Sequence, residues 1–95
     1  MMDIKHIEGR ARGAFVIKSD HKRLAELTYS KPDDKSIDID HTEVDESLRG
    51  QGIGEKLVKE AAEFAREKGL KITATCPYAS KLLSRKPEYS DVYQT

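Results

Sequence analysis

The stretch Arg49-Gly50-Gln51-Gly52-Ile53-Gly54 constrains this chain more than any other, because it sets three of the six glycines at alternate positions just before a helix-forming run. A connecting turn needs one glycine, and each further glycine in a first helical turn weakens it by roughly 0.5–1 kcal/mol relative to alanine. The spacing points instead to a turn that brings the main chain up to an anion. The first N–H groups of a helix have no internal partner and sit at the positive end of its dipole, so phosphate supplies both acceptors and countercharge. Glycine permits positive φ in the approach and leaves no side chain to hold ligand oxygens off the backbone. A P-loop is excluded, since Gly54 leads into Glu55-Lys56 without the Lys-Ser/Thr pair. The G-x-G-x-x-G fingerprint is excluded because Gly50-Gln51-Gly52 reaches Gly54 one residue too soon.

Periodicity supplies the frame around that turn. Residues 4–8 and 14–18 are short β-compatible runs separated by Gly9-Arg10-Ala11-Arg12-Gly13, which reads as a hairpin. Residues 24–30 form a strand stopped by Lys31-Pro32-Asp33-Asp34. Strict alternation over residues 36–41 predicts a strand with Ile37, Ile39 and His41 on one face and Asp38 and Asp40 on the other. Ile53, Leu57, Val58, Ala61, Ala62 and Ala65 fall on one helical stripe, and Gly69 is placed to end that helix. Residues 70–75 read as a strand with Leu70, Ile72, Ala74 and Cys76 on one face. Pro77 opens a short helix running to Arg85, and residues 88–93 read as a last edge strand. Strand, helix, strand across residues 36–75 is a right-handed crossover, so its two strands run parallel and bring His41 and Cys76 to one edge. The fold class is mixed α/β (α+β): antiparallel N-terminal strands, a parallel strand-helix-strand crossover and a short C-terminal helix.

At 95 residues the chain reads as one domain, 1–95, hiding only about 60–68% of the surface its unfolded form exposes. No apolar run approaches the roughly 18–20 residues of a membrane span, and residues 1–6 lack the apolar core of a signal peptide. The expected location is the cytoplasm, with no membrane partner. The 17 basic and 17 acidic residues cancel, so no global field argues for nucleic acid. A single cysteine, Cys76, forms no internal disulfide and is either a small buried hydrophobe or a thiol with a task. No metal site is expected.

Residues 49–54 match the R/Q-x-x-G-x-G/A signature of the GNAT (Gcn5-related) N-acetyltransferases, preceded by a strand ending Glu43-Val44-Asp45 and followed by the amphipathic helix. The chain resembles that family over residues 36–86. The block DHTEVDESLRGQGIGEKLV, the CPYA after the next strand and the short length resemble the minimal GNAT-like proteins of the YjdJ type. The resemblance implies acetyl-CoA as donor, held by Val44, Arg49, Gly50, Gln51, Gly52, Ile53, Gly54 and Glu55, with the N–H groups of the glycine loop on its diphosphate. It implies that the pantetheine arm lies between two splayed strands, where its amides satisfy unpaired strand-edge groups. Lys81 and Arg85, on one face of the short helix, either reach the 3′-phosphate of CoA or solubilise that face. Two departures matter: residues 9–13 replace the helical pair usual between the first two strands, and little chain follows Pro87. Those parts normally shape the acceptor pocket, so the donor is specified and the acceptor is not.

By the same resemblance His41 and Cys76 border the thioester end as the suggested catalytic pair. Acetyl transfer needs a neutral amine and a proton donor for the leaving thiolate, and an imidazole is suited to removing the amine's proton. Cys76 then acts as a nucleophile taking the acetyl group or as a thiol donor lining the site. The plainer readings are a histidine packed beside Ile39 and an inert buried thiol. Tyr78, Tyr89 and Tyr93 are alternative proton donors. Asp33, Asp34, Asp38, Asp40, Glu43, Asp45 and Glu46, offset by Lys35 alone, would either concentrate a cationic amine or form a solvated strand face. The expected function is acetyl-CoA-dependent N-acetylation of a protein, peptide or small amine. Its competitors are a non-catalytic CoA or acyl-CoA binding module and a nucleotide-binding regulator preferring ATP or NAD. The expected state is a monomer or a weak homodimer.

Overall fold

Tight turns build the first half of the chain. Gly9 N–H donates to Arg12 C=O at 2.8 Å and reverses β1 (Lys5–Glu8) into β2 (Arg12–Ser19). Asp20 and His21 adopt positive φ, 50° and 68°, the backbone a two-residue hairpin demands, and turn β2 into β3 (Lys22–Asp33). In this computed structural model, which describes residues 3–94, β4 (Ser36–Val44) returns antiparallel to β3, and β5 (Lys71–Ala74) joins parallel to β4. The strand order is β1-β2-β3-β4-β5. Between β4 and β5 come a 3-10 turn (Glu46–Leu48) and α1 (Ile53–Lys68); after β5 come α2 (Pro77–Arg85) and a second 3-10 turn (Pro87–Tyr89).

The predicted stripe of α1 is its buried face: Ile53, Leu57, Val58, Ala61, Ala62 and Ala65 pack with Leu27, Tyr29, Ile37 and Ile39 of the sheet. Each large aliphatic side chain in that layer contributes about 1.5–3 kcal/mol by leaving water. The three alanines let the helix lie close to the strands. Leu82 and Leu83 of α2 join the same core, so both helices cover one face of the sheet. At its β1 side the core is aromatic. His6 stacks on Phe15 with ring centroids 4.1 Å apart and meets Phe64 edge-on at 4.5 Å, while its Nε2 lies 2.6 Å from the Tyr29 hydroxyl. Gly13 makes room for that phenol, since a Cβ there would stand 2.3 Å from the Tyr29 ring.

Three expectations are corrected. Lys31-Pro32-Asp33 does not stop the third strand: β3 runs on to Asp33, which pairs with Ser36 past an irregularity that accommodates Pro32. His41 does not share a face with Ile37 and Ile39: the β3–β4 register shifts between Thr28 and Tyr29, which pair with His41 and Ile39, leaving Asp40 as a bulge. One extra residue resets the alternation, so Thr42 and Val44 continue the inward face while His41 and Glu43 turn outward. Residues 88–93 are not a strand. Pro87 starts a 3-10 turn, and the tail keeps one parallel bridge, Tyr93 to Ile72. There Ile72 N–H donates to Val92 C=O at 2.7 Å and Gln94 N–H donates to Ile72 C=O at 2.8 Å.

Candidate active site

β4 and β5 stay paired from Ser36↔Lys71 to Ile39↔Ala74 and then part. At the fork Ile39 C=O accepts Thr75 N–H at 3.0 Å and Cys76 N–H at 3.1 Å. Asp38 pins the last paired residues, accepting from Thr73 Oγ1 at 2.7 Å and Thr75 Oγ1 at 2.9 Å. β4 runs on to Val44 paired with β3 only. Asp45 N–H bonds Leu24 C=O at 2.7 Å toward β3, so by the alternation of an antiparallel ladder Thr42 and Val44 direct their main-chain groups to the open side. Arg49 Nε reaches back across that opening to Val44 C=O at 3.4 Å.

The two helical turns that follow begin differently. Asp45 caps the 3-10 turn, its carboxylate accepting from Ser47 N–H at 3.0 Å and Ser47 Oγ at 2.6 Å. α1 starts at Gly52 with φ 70° and no side-chain cap. Its first helical hydrogen bond runs from Lys56 N–H to Gly52 C=O at 3.1 Å, which leaves the N–H groups of Ile53, Gly54 and Glu55 ahead of the helix's own ladder. A carboxylate at the position of Glu55 often folds back over such a start. Here Glu55 pairs with Lys86 instead, and that hydrogen bond holds its carboxyl below the usual range. Gly50 at φ 84° and Gly52 at φ 70° carry the turn in a backbone that side chains disfavour.

A cavity of about 330 Å³ lies where the open strand edge meets this helix start. Thr42 and Val44 form one side, Leu48, Arg49, Gly50 and Gly52 the turn, and Ile53, Gly54 and Tyr78 the helical wall. Of the residues expected around the diphosphate, Val44, Arg49, Gly50, Gly52, Ile53 and Gly54 meet here. Gln51 is exposed beside it, Glu55 is drawn to Lys86, and Lys81 and Arg85 stand exposed on α2 without lining the cavity, Arg85 near enough for its charge to act on Tyr78 and Glu55. Thr42 and Leu48 were not anticipated: Thr42 faces inward only because of the bulge, and nothing in its flanking sequence announces that. A larger cavity of about 540 Å³, by Lys31, Asp33, Phe64 and Lys68, lies at the other end of β4 and mixes both signs of charge.

Cys76 and His41 are not brought together. Cys76 is buried on the cavity side, its Sγ 3.4 Å from Thr42 Oγ1. The His41 side chain is 56% exposed on the opposite face, with Nε2 3.5 Å from Glu43 Oε2. Glu43 stands directly across from Glu26 of β3, a like-charge pair that weakens a sheet. Burial pushes the neighbouring Asp40 carboxyl up, but hydrogen bonds from Thr28 and Arg12 outweigh it and hold it below the usual range. Asp40 is thereby committed to Thr28 Oγ1 at 2.6 Å and Arg12 at 2.8 Å. The acidic segment is thus divided: Asp33, Asp38, Asp40 and Asp45 hold structure, and Asp34, Glu43 and Glu46 are exposed.

A family model described as GCN5-related N-acetyl-transferase matches residues 14–92, which contain both the parting strands and the glycine turn. The chain belongs to the GCN5-related N-acetyltransferase family. A GCN5-like protein from Staphylococcus aureus, solved by NMR, superposes with a TM-score of 0.77 at 43% identity, covering 97% of this chain and 87% of that one. Protein NATD1 of Xenopus tropicalis is 34% identical over 88% of this chain and 76% of its own length. Human Protein NATD1 is 33% identical over 88% of this chain and 74% of its own length. As in any GCN5-related N-acetyltransferase, the chemistry to account for is acetyl transfer. Among the described residues no helix is long and apolar enough to cross a membrane, and no cluster of three metal-ligating side chains occurs.

Proposed function

We propose that this chain transfers an acetyl group from acetyl-CoA to a cationic amine, with the donor in the cavity of the parting strands and the acceptor on the sheet face that the helices leave uncovered. The observation that carries this reading is the meeting of two main-chain sets in one cavity: the edge of β4 at Thr42 and Val44, which no strand pairs and where only Arg49 Nε reaches Val44 C=O, and the uncapped N–H groups of α1. The residues present fit the donor. The first-turn amides would hold a diphosphate, and the strand edge would pair with the amides of a pantetheine arm. Bound acetyl-CoA supplies an activated acyl thioester.

The chain's own residues divide the remaining work between the two faces of β4. His41, adjacent in sequence to cavity-lining Thr42 but turned the other way, would take the proton from an ammonium acceptor arriving on the outer face. Glu43, with Glu26 across from it shared with Arg23 at 3.6 Å, favours a cation there, such as a lysine side chain or a polyamine. A nucleophilic Cys76 needs a base within hydrogen-bond reach, and its partner is the Thr42 hydroxyl, which is none. The geometry therefore favours Cys76 as a buried thiol donor behind cavity-lining Thr42 over a nucleophile.

A non-catalytic CoA-binding module is the second reading, favoured by the separation of His41 from Cys76. Calorimetry with CoA, ATP and NAD tests the donor site: CoA is expected to bind in preference to both nucleotides, and preference for ATP or NAD would refute the reading. Acetyl-CoA turnover over lysine-peptide and polyamine panels then separates enzyme from module, since a module turns over none of them.

A further inference from the structure

Tyr78 is a large side chain left conspicuously in solvent beside the cavity, 48% exposed in a chain whose other aromatics mostly pack inward. Pro77 begins α2 with a fixed φ, and Cys76 N–H ties the start of that helix to Ile39 C=O at 3.1 Å, so Tyr78 is presented by a rigid element. Its ring lies over the first turn of α1. A Cβ built on Gly54 would stand 2.7 Å from the Tyr78 hydroxyl and 3.0 Å from its Cζ. Gly54 therefore serves a close approach and not a backbone angle. Among the described residues the hydroxyl has no hydrogen-bond partner.

Burial, and next the neighbouring Glu55 carboxylate, push the Tyr78 phenol up, so it is a donor at neutral pH. Around this point the groups without partners are all donors: the N–H groups of Gly54 and Glu55, and the phenol. Glu55 itself is held aside by Lys86. Donors converging with no acceptor among them describe a seat for an anion.

We propose that Tyr78 is a positioning residue for the diphosphate of CoA, its hydroxyl donating to an oxygen held over the first turn of α1, and that Gly54 is glycine to let it reach there; this rests on the donor reading given above. Two contributions to one ligand are thereby separable. A hydrogen bond to a charged acceptor should be lost with the diphosphate, whereas a merely structural tyrosine would affect every ligand alike.

NMR titration of the full chain with CoA and with pantetheine, which lacks the diphosphate, tests this on wild type, Tyr78→Phe and Gly54→Ala. Tyr78→Phe keeps the ring and is expected to weaken CoA about 10-fold while leaving pantetheine unchanged. Gly54→Ala, which displaces only the far end of a side chain, is expected to fold and to reproduce the CoA loss. Unchanged CoA affinity in Tyr78→Phe, or an equal loss toward pantetheine, overturns the role given to Tyr78. A wild-type chain that binds pantetheine or nothing, but never CoA more tightly, overturns the donor reading beneath it.

Discussion

The two flanks of the sheet treat their polar groups in opposite ways. At the β1 flank every strand is paired, and the one buried phenol, Tyr29, finds the His6 ring at 2.6 Å. Burial, then Glu8, pushes that phenol up to about 12, so it stays protonated and bonded. At the β4–β5 flank the strands part, a helix starts without a cap and a phenol is left in solvent. Satisfied groups stabilise and do nothing else, whereas groups left open are available to a ligand. The contrast implies that stability and binding reside in different residues and are separable by mutation.

The most disruptive test of that separation is Tyr29→Ala. Truncating a fully buried aromatic costs about 3–5 kcal/mol, read by urea unfolding, while the CoA affinity of the chain that remains folded stays at the wild-type value. A parallel fall in affinity would show that the flanks are coupled. Next comes His41→Ala: turnover should drop about 100-fold, with stability shifting by less than about 0.5 kcal/mol because the side chain is exposed. Unimpaired turnover removes His41 from the chemistry.

Gly52→Ala should disturb folding less than Tyr29→Ala does. A Cβ there meets nothing within 4 Å, so the penalty is the left-handed backbone alone, about 1–2 kcal/mol in unfolding free energy. CoA affinity should fall along with it, and a variant that bound normally would mean that the turn adopts its shape for reasons other than the ligand. The smallest expected effect is a pH response. Burial lowers the His6 pKa below 6.5, opposed by Glu8 and assisted by Lys31. An unfolded chain then binds this proton more readily than the folded one, so stability present above pH 6.5 declines as the pH falls below it toward the lowered folded value. Replacing His6 with Gln should flatten that part of the stability profile, and an unchanged slope would assign it to other groups.

Features of the chain that rest on local periodicity were legible without coordinates. The stripe from Ile53 to Ala65, the hairpin at Gly9 and the crossover from β4 to β5 each follow from the spacing of apolar and turn residues. Features set by the neighbouring strand were not. The alternation of Ser36 to His41 is as strict as any in the chain, yet the side on which His41 falls depends on how β4 registers against Thr28 and Tyr29. That same register turns Thr42 toward Cys76. The turn into α1 follows from glycines at alternate positions, whereas the sides taken by His41 and Thr42 depend on a bulge. The tail misled for a related reason: Tyr89 and Val92 bury as strand residues would, but a 3-10 turn after Pro87 achieves that burial within one compact reversal.

The bridge between Ile72 and the tail has a consequence for how copies of this chain could associate. Val92 and Gln94 already occupy the hydrogen-bonding positions along the far side of β5. An incoming peptide or a sister chain cannot extend the sheet on that flank unless it first peels the tail away. Apart from the short open edge of β4 at Thr42 and Val44, the edge left to a ribbon is β1, where four residues of main chain offer only a short template.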